Sequence, residues 1–357
     1  MKSFWGMFGA IFLFIGCLAP APVQSQGAKD LPPLKVKTAT WHTRQSLLGD
    51  SMVSIFMAKV TQKSGGTITF DPVYWGTLGT PATFIDLASK GAVDLVSTGA
   101  GYTPGKFPLA GFEFVFPFGP SDPRITTKAK RATYDAIPAF QAENAKNNVV
   151  NLMHVALDSY ALFSAKPYRT MADLKGQKIG SYGPYVGRIL EGSGAAFVSG
   201  AVTNYYEWMR AGTVDAFIVS NDLAVAYSLN EQAKYWDDSF WGSFLPTDLW
   251  MNLDFWKSLS PRQQAIFREA GLEAETAHAE FIVANRAKTK EKLKNLTVVQ
   301  MPREEVVKWA NSSMDVPAWW AKEMEKQGLP VAWEIVDRYQ KEVEKLGFKW
   351  HRKWGVK

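Results

Sequence analysis

The sequence predicts an α/β protein of two similar lobes followed by a helical C-terminal region. Three observations predict it: two stretches each read β-α-β-α-β, the two match at one joint, and the chain after residue 256 has helical periodicity throughout. The 357 residues allow roughly two domains at about 150 residues each. With 46% hydrophobic and 21% charged residues, the balance is that of an ordinary globular protein.

The first stretch opens on the strand-like LKVKTAT (34–40). A helix at about 45–63 follows, with Leu48, Met52, Ile55, Phe56 and Val60 on one face and Gly65-Gly66 as its stop. ITFDPVYW (68–75) reads as a strand, TPATFIDLASK (80–90) as a helix and AVDLVST (92–98) as a strand. This order implies parallel strands joined by crossover helices. It returns in QKIGSY (177–182), PYVGRILEGSG (184–194), AAFVSGA (195–201), NYYEWMRA (204–211) and TVDAFIVS (213–220).

FIDLASKGAVD (84–94) and YYEWMRAGTVD (205–215) align without gaps. Gly91 and Gly212 fall where a helix end needs a residue able to reach positive φ. Asp94 and Asp215 follow in the first turn of each strand and read as capping groups rather than catalysts. The C-terminal region begins with a long helix at 260–295, started by a Ser260 cap, Pro261 and a capping box closed by Gln263. Shorter helices follow at about 303–313, 316–327 and 331–346, with Lys and Glu spaced as on a solvated face.

Residues 1–25 stand apart. Lys2, the apolar run Phe4 to Leu18 and the small-residue exit APAPVQS describe a secretory signal cleaved after Ser25. The run is too short for a membrane span, which needs about 20 apolar residues. FIGC (14–17) faintly resembles a lipobox, but Phe14 stands where leucine is usual, so a soluble periplasmic form is preferred to anchoring at Cys17. Cys17 is the single cysteine, so the mature chain has no disulfide.

The net charge of +6 gathers partly in Lys349, Arg352, Lys353 and Lys357. No basic run interleaved with aromatics supports nucleic-acid binding. There is no GxxxxGK[ST], GxSxG or HExxH, and His42, His154, His278 and His351 lack ligand spacing. No catalytic residue, metal site or cofactor is therefore assigned. One stretch raises a functional question. GQKIGSYGPYVG (176–187) is rich in glycine, carries two tyrosines and follows a strand, as a ligand loop does.

Five ordered stretches resemble the DctP-type extracytoplasmic substrate-binding proteins of TRAP transporters. They are KSGGTITFDPVYWGTLGT (63–80), ASKGAVDLVSTGAGY with FVFPF (88–102, 114–118), SAKPYRTMADLKGQKIG (164–180), WMRAGTVDA (208–216) and DFWKSLSPRQQAIFREAG (254–271). The resemblance implies a two-lobe periplasmic binding protein fold with a cleft, a long helix bridging both lobes, and closure on a ligand. The implied plan is a signal at 1–25, a first lobe at 26–155 that takes part of the C-terminal helices, a second lobe at 156–255, and bridging and C-terminal helices at 256–357.

Most relatives hold a carboxylate with an arginine whose position here is Gly180. A second ligand-side arginine aligns with Tyr160, and a ligand-side asparagine with Val219, although Ser220 and Asn221 stand close by. The resemblance therefore implies a small organic ligand that is less charged, or more aromatic, than usual. Arg188 is the alternative source of a cation. The expected wall is Trp41, His42, Trp75, Thr98, Tyr102, Tyr160, Gly180, Ser181, Tyr182 and Trp250, with Trp75 and Trp250 the weakest candidates. Expected partners are the TRAP membrane permease subunits, with the receptor a monomer. A sensor module for a receptor kinase is the alternative, and a secreted enzyme finds no motif.

Overall fold

The computed structural model describes residues 31–42, 47–74, 78–183, 185–243 and 247–356. The expected signal, Cys17 and Trp75 lie outside the described residues. The first β-α-β-α-β stretch forms β1 (Leu34–Thr40), α1 (Leu47–Lys63), β2 (Ile68–Tyr74), α2 (Pro81–Ser89) and β3 (Leu95–Thr98). Then come α3 (Pro123–Ala136), α4 (Ala139–Lys146), β4 (Val149–Val155) and β5 (Tyr160–Ser164). The second stretch forms β6 (Lys178–Ser181), α5 (Val186–Leu190), β7 (Ala196–Ser199), α6 (Tyr205–Arg210) and β8 (Ala216–Ser220). The chain continues through α7 (Asn221–Ala226), β9 (Tyr235–Gly242), β10 (Thr247–Asn252) and α8 (Leu253–Ser258). It ends with α9 (Pro261–Lys292), β11 (Thr297–Val298), α10 (Arg303–Ser312), α11 (Val316–Lys326) and α12 (Ala332–Lys345).

Two sheets result, one per lobe. The first runs β2-β1-β3-β10-β4 and the second β11-β9-β5-β8-β6-β7. In the first, β1, β2 and β3 are parallel and β10 is antiparallel to both its neighbours. In the second, β6, β7 and β8 are parallel and β5 is antiparallel. Strand β10 thus joins the first sheet, although its residues fall in the segment expected to be the second lobe. The chain has returned to the first lobe before residue 255.

The matched joint has the same construction in both lobes. Gly91 and Gly212 have φ of 70° and 68°, the left-handed conformation their helix ends require. Asp94 Oδ2 accepts the Lys37 N–H at 2.8 Å, and Asp215 Oδ2 accepts the Lys178 N–H at 2.8 Å. Each aspartate therefore pegs the first strand of its own β-α-β-α-β stretch instead of capping its own turn.

Helix α9 has 32 residues and, at 1.5 Å per residue, spans about 48 Å. The Ser260 hydroxyl accepts the Gln263 N–H, and Gln263 Oε1 accepts the Ser260 N–H, so the predicted box is formed. The helix packs on α1, α3 and β4 of the first lobe and on α7 of the second, and so bridges them. Arg286 on α9 also binds Asp158, between β4 and β5, at 2.7 Å. None of the helices among the described residues is long and apolar enough to cross a membrane.

Candidate functional site

Parallel strands deliver side chains to the carboxyl end of a sheet, where α/β proteins bind ligands. Trp41 and His42 leave the end of β1, and Tyr102 closes a turn of 3-10 helix (Ala100–Tyr102) after β3. Tyr182 leaves β6, and Asn221 and Asp222 leave β8. Strand β5 runs the other way, so its first residue, Tyr160, sits at this same end, paired with Ser220.

A series of rings crosses the cleft. Trp41 and His42 have centroids 3.9 Å apart, Trp41 and Tyr102 5.6 Å, and Tyr102 and Tyr182 4.3 Å. Phe114 meets Tyr182 edge-on at 5.7 Å. The Tyr102–Tyr182 contact joins the first lobe to the second.

Burial favours the uncharged form of the histidine and the tyrosines. Burial, with a smaller effect of His278, lowers His42 to about 3. Burial raises Tyr102, Tyr160, Tyr182 and Tyr205, with neighbouring tyrosines adding. Burial and then Asp158 push Asp222 up to about 7, opposed by Ser220 and the first amides of α7. None of these groups is perturbed by a described lysine or arginine.

Trp41 Nε1, His42 Nε2, Tyr182 Oη and Asn221 Nδ2 are buried with no hydrogen-bond partner among the described residues. Such atoms are costly, about 1–3 kcal/mol each, and in native proteins they call for an explanation. The arrangement can stack on a flat group and offer neutral N–H and O–H donors to an acceptor atom. Among the described residues no group of three or more His, Cys, Asp or Glu could hold a metal.

Of the candidates, Trp41, His42, Tyr102, Tyr160 and Tyr182 lie at these strand ends. The other candidates go elsewhere. Trp250 is fully buried in the first lobe, with its indole donating to the Thr98 carbonyl at 3.1 Å and its ring on Phe107 at 4.8 Å. The hydroxyls of Thr98 and Ser181 are held by the carbonyls of Pro81 and Ile218. Val219 is buried in the sheet opposite Ala161. Arg188 does not reach back, because it pairs with Glu191 at 2.8 Å and lies over Trp319.

Gly180 requires the main correction. A Cβ placed there would meet Val214 at 3.2 Å and Trp208 at 3.6 Å, in the layer between sheet and α6, not the ring series. Gly180→Arg should therefore lower stability by about 1–3 kcal/mol through overpacking. Urea unfolding checks this, and unchanged stability with altered ligand selectivity would return residue 180 to the cleft. The wall not expected from the sequence is Phe114, and Asp222 lies in the first turn of α7 at the same strand end. Asp222 had a signal, a carboxylate directly after a strand end. Phe114 lies in the quoted FVFPF stretch, where nothing distinguishes a wall from core.

The sequence model for the bacterial extracellular solute-binding proteins, family 7 (DctP), matches residues 39–327. A solute-binding protein of Albidiferax ferrireducens is 25% identical over 233 residues, covering 63% of this chain and 67% of that protein. A marine metagenome TRAP solute-binding protein, specific for aromatic acid ligands and solved with metahydroxyphenylacetate, superposes with a TM-score of 0.77 at 21% identity, covering 88% of this chain and 100% of that one. A Rhodoferax ferrireducens TRAP solute-binding protein with copurified benzoate gives 0.77 at 22% identity, covering 87% and 98%. One from Bordetella bronchiseptica with bound (R)- and (S)-mandelate gives 0.76 at 17%, covering 88% and 100%. All are solute-binding proteins rather than enzymes, and the three solved structures share this chain's two-lobe fold. On its sequence match and its architecture, the chain belongs to the bacterial extracellular solute-binding proteins of family 7, the DctP-type receptors of TRAP transporters.

Proposed function

We propose that this receptor captures a flat, largely apolar organic ligand between its lobes and delivers it to TRAP membrane permease subunits. The observation that carries the reading is the ring series Trp41–His42–Tyr102–Tyr182, which no described cation perturbs. Stacking on such rings contributes about 0.5–1.5 kcal/mol per pair beyond burial. An acceptor atom on the ligand would satisfy the unpartnered donors. The low charge assigned to the ligand rests on the uncharged His42, Tyr102 and Tyr182 and no longer on Gly180. The aromatic acids bound by the solved relatives have a body of this kind.

Thermal shift tests it with benzoate, 3-hydroxybenzoate, mandelate, their amides, and aliphatic mono- and dicarboxylates of similar size. Aromatic compounds should raise Tm, by about 2.7 kcal/mol of stability at 100 times Kd, and Tyr182→Ala should abolish the shift. Stabilisation by aliphatic dicarboxylates alone would overturn the reading. We further propose a soluble periplasmic monomer beginning near Gln26. Mass spectrometry of the exported protein decides this, and a lipidated Cys17 terminus would refute it.

A further inference from the structure

We propose that Trp319 is a positioning residue that holds the ligand-side loop of the second lobe shut from outside the cleft. The inference rests on the reading of the protein as a two-lobe receptor. The loop leaving β6 is fastened at two places. On its inner side, Tyr182 lies on Tyr102 and Phe114. A few residues on, its outer side meets α11. There the Arg188 guanidinium lies 4.9 Å from the Trp319 ring centre, and the Tyr185 ring meets Trp319 edge-on at 6.1 Å.

The two sides of this outer contact belong to different lobes. Helix α5, which carries Arg188, packs on β7 of the second sheet. Helix α11 packs on the first-lobe turn Phe112–Val115 and on α12, and α12 packs on α3. The Tyr339 ring of α12 fixes this side, at 5.2 Å from Phe112 and 4.8 Å from Phe116. Helix α10, by contrast, rests on the second-lobe turn Met171–Leu174. The helical segment therefore changes lobes between α10 and α11. There the Ser313 hydroxyl donates to the Ile189 carbonyl of α5 at 3.3 Å.

Opening the cleft must separate Arg188 and Tyr185 from Trp319, although neither belongs to the ring series inside. Trp319 is only partly buried, so its ring can be changed with little effect on the core. A cation–π contact at a partly exposed site corresponds to a factor of about two to five in an equilibrium. Losing it should shift the closed-to-open ratio by that factor and speed ligand release more than it slows capture.

The test uses single-molecule energy transfer on the mature protein, labelled at Lys90→Cys in the first lobe and Lys175→Cys in the second. Without ligand, Trp319→Ala should lower the closed-to-open ratio about two- to five-fold, and Arg188→Gln should do the same. The double variant should add little, and Trp319→Phe should restore most of the closed population. All variants should keep a thermal midpoint close to that of the labelled parent. A Trp319→Ala ratio equal to the parent's would overturn the proposal, as would equal losses in Trp319→Ala and Trp319→Phe. A parent distance that is single-valued and unmoved by benzoate or 3-hydroxybenzoate would sink the receptor reading, and the clasp with it.

Discussion

Replacing Lys130 with methionine is expected to destabilise the protein by about 3–5 kcal/mol, as removal of one partner from a buried ion pair does. Lys130 Nζ lies 2.7 Å from Glu113 and 3.0 Å from Asp248, and all three side chains are buried. His154 Nδ1 adds a 2.8 Å contact to Asp248. Burial pushes the Asp248 carboxyl up, but Lys130 and His154 outweigh it and hold it below the ordinary range. Burial pushes Glu113 up to about 7 against the pull of Lys130. Without the ammonium, two carboxylates would face each other with no cation.

The cost should be felt at the crossing between lobes, because Asp248 is on β10 and His154 on β4. These strands lie at two of the places where the chain passes between sheets. Urea unfolding of the variant measures the effect. A loss below about 1 kcal/mol would mean that the carboxylates take up protons or water at little cost. The triple variant Lys130→Met, Glu113→Gln, Asp248→Asn should recover part of the loss, because it removes the stranded charges.

Gly271→Ala is the second large effect, expected at about 2–3 kcal/mol. Helix α9 lies so close to β4 that an added Cβ at Gly271 would overlap the carbonyl oxygen of Leu152 and approach its carbon to 3.0 Å. The obstacle is backbone, which cannot rotate away as a side chain can. The helix must shift, at the cost typical of overpacking, and the gain in helix propensity of about 0.5–1 kcal/mol recovers only part of it. Gly105→Ala is the control, since nothing lies within 4 Å of a Cβ there. Equal midpoints for the two variants would show that α9 has room to move.

The duplicated half of the fold was legible because its signals are local. The G-x-V-D joint repeats at 91–94 and 212–215, and Ser260-Pro261 with Gln263 marks the long helix. Strands β4 (VVNLMHV) and β10 (TDLWMN) were not read. They are buried on both faces, so no alternation marks them, and β10 pairs with strands far away in the sequence. The site was legible by position and not by direction. Residues after strand ends, such as Trp41 and Tyr182, fall in the cleft wherever their side chains point. Within a strand, one step changes the face, and family alignment fixed the step at Gly180 without showing that it faces α6. Ser181 and Thr98 failed for a related reason, because local carbonyls already hold their hydroxyls.

The strand order also carries a consequence for how the chain folds as it is made. The second sheet draws five of its six strands from residues 160–242, so this lobe has nearly all its partners within one continuous stretch. The first sheet cannot close until β10 arrives to fill the gap between β3 and β4. Until then β3 and β4 each present an unpaired edge, the kind of surface that invites aggregation in a nascent protein. The amino-terminal lobe is therefore the one that must wait, and a chaperone acting on the emerging chain would have most reason to hold residues 95–155 until residue 252 has followed.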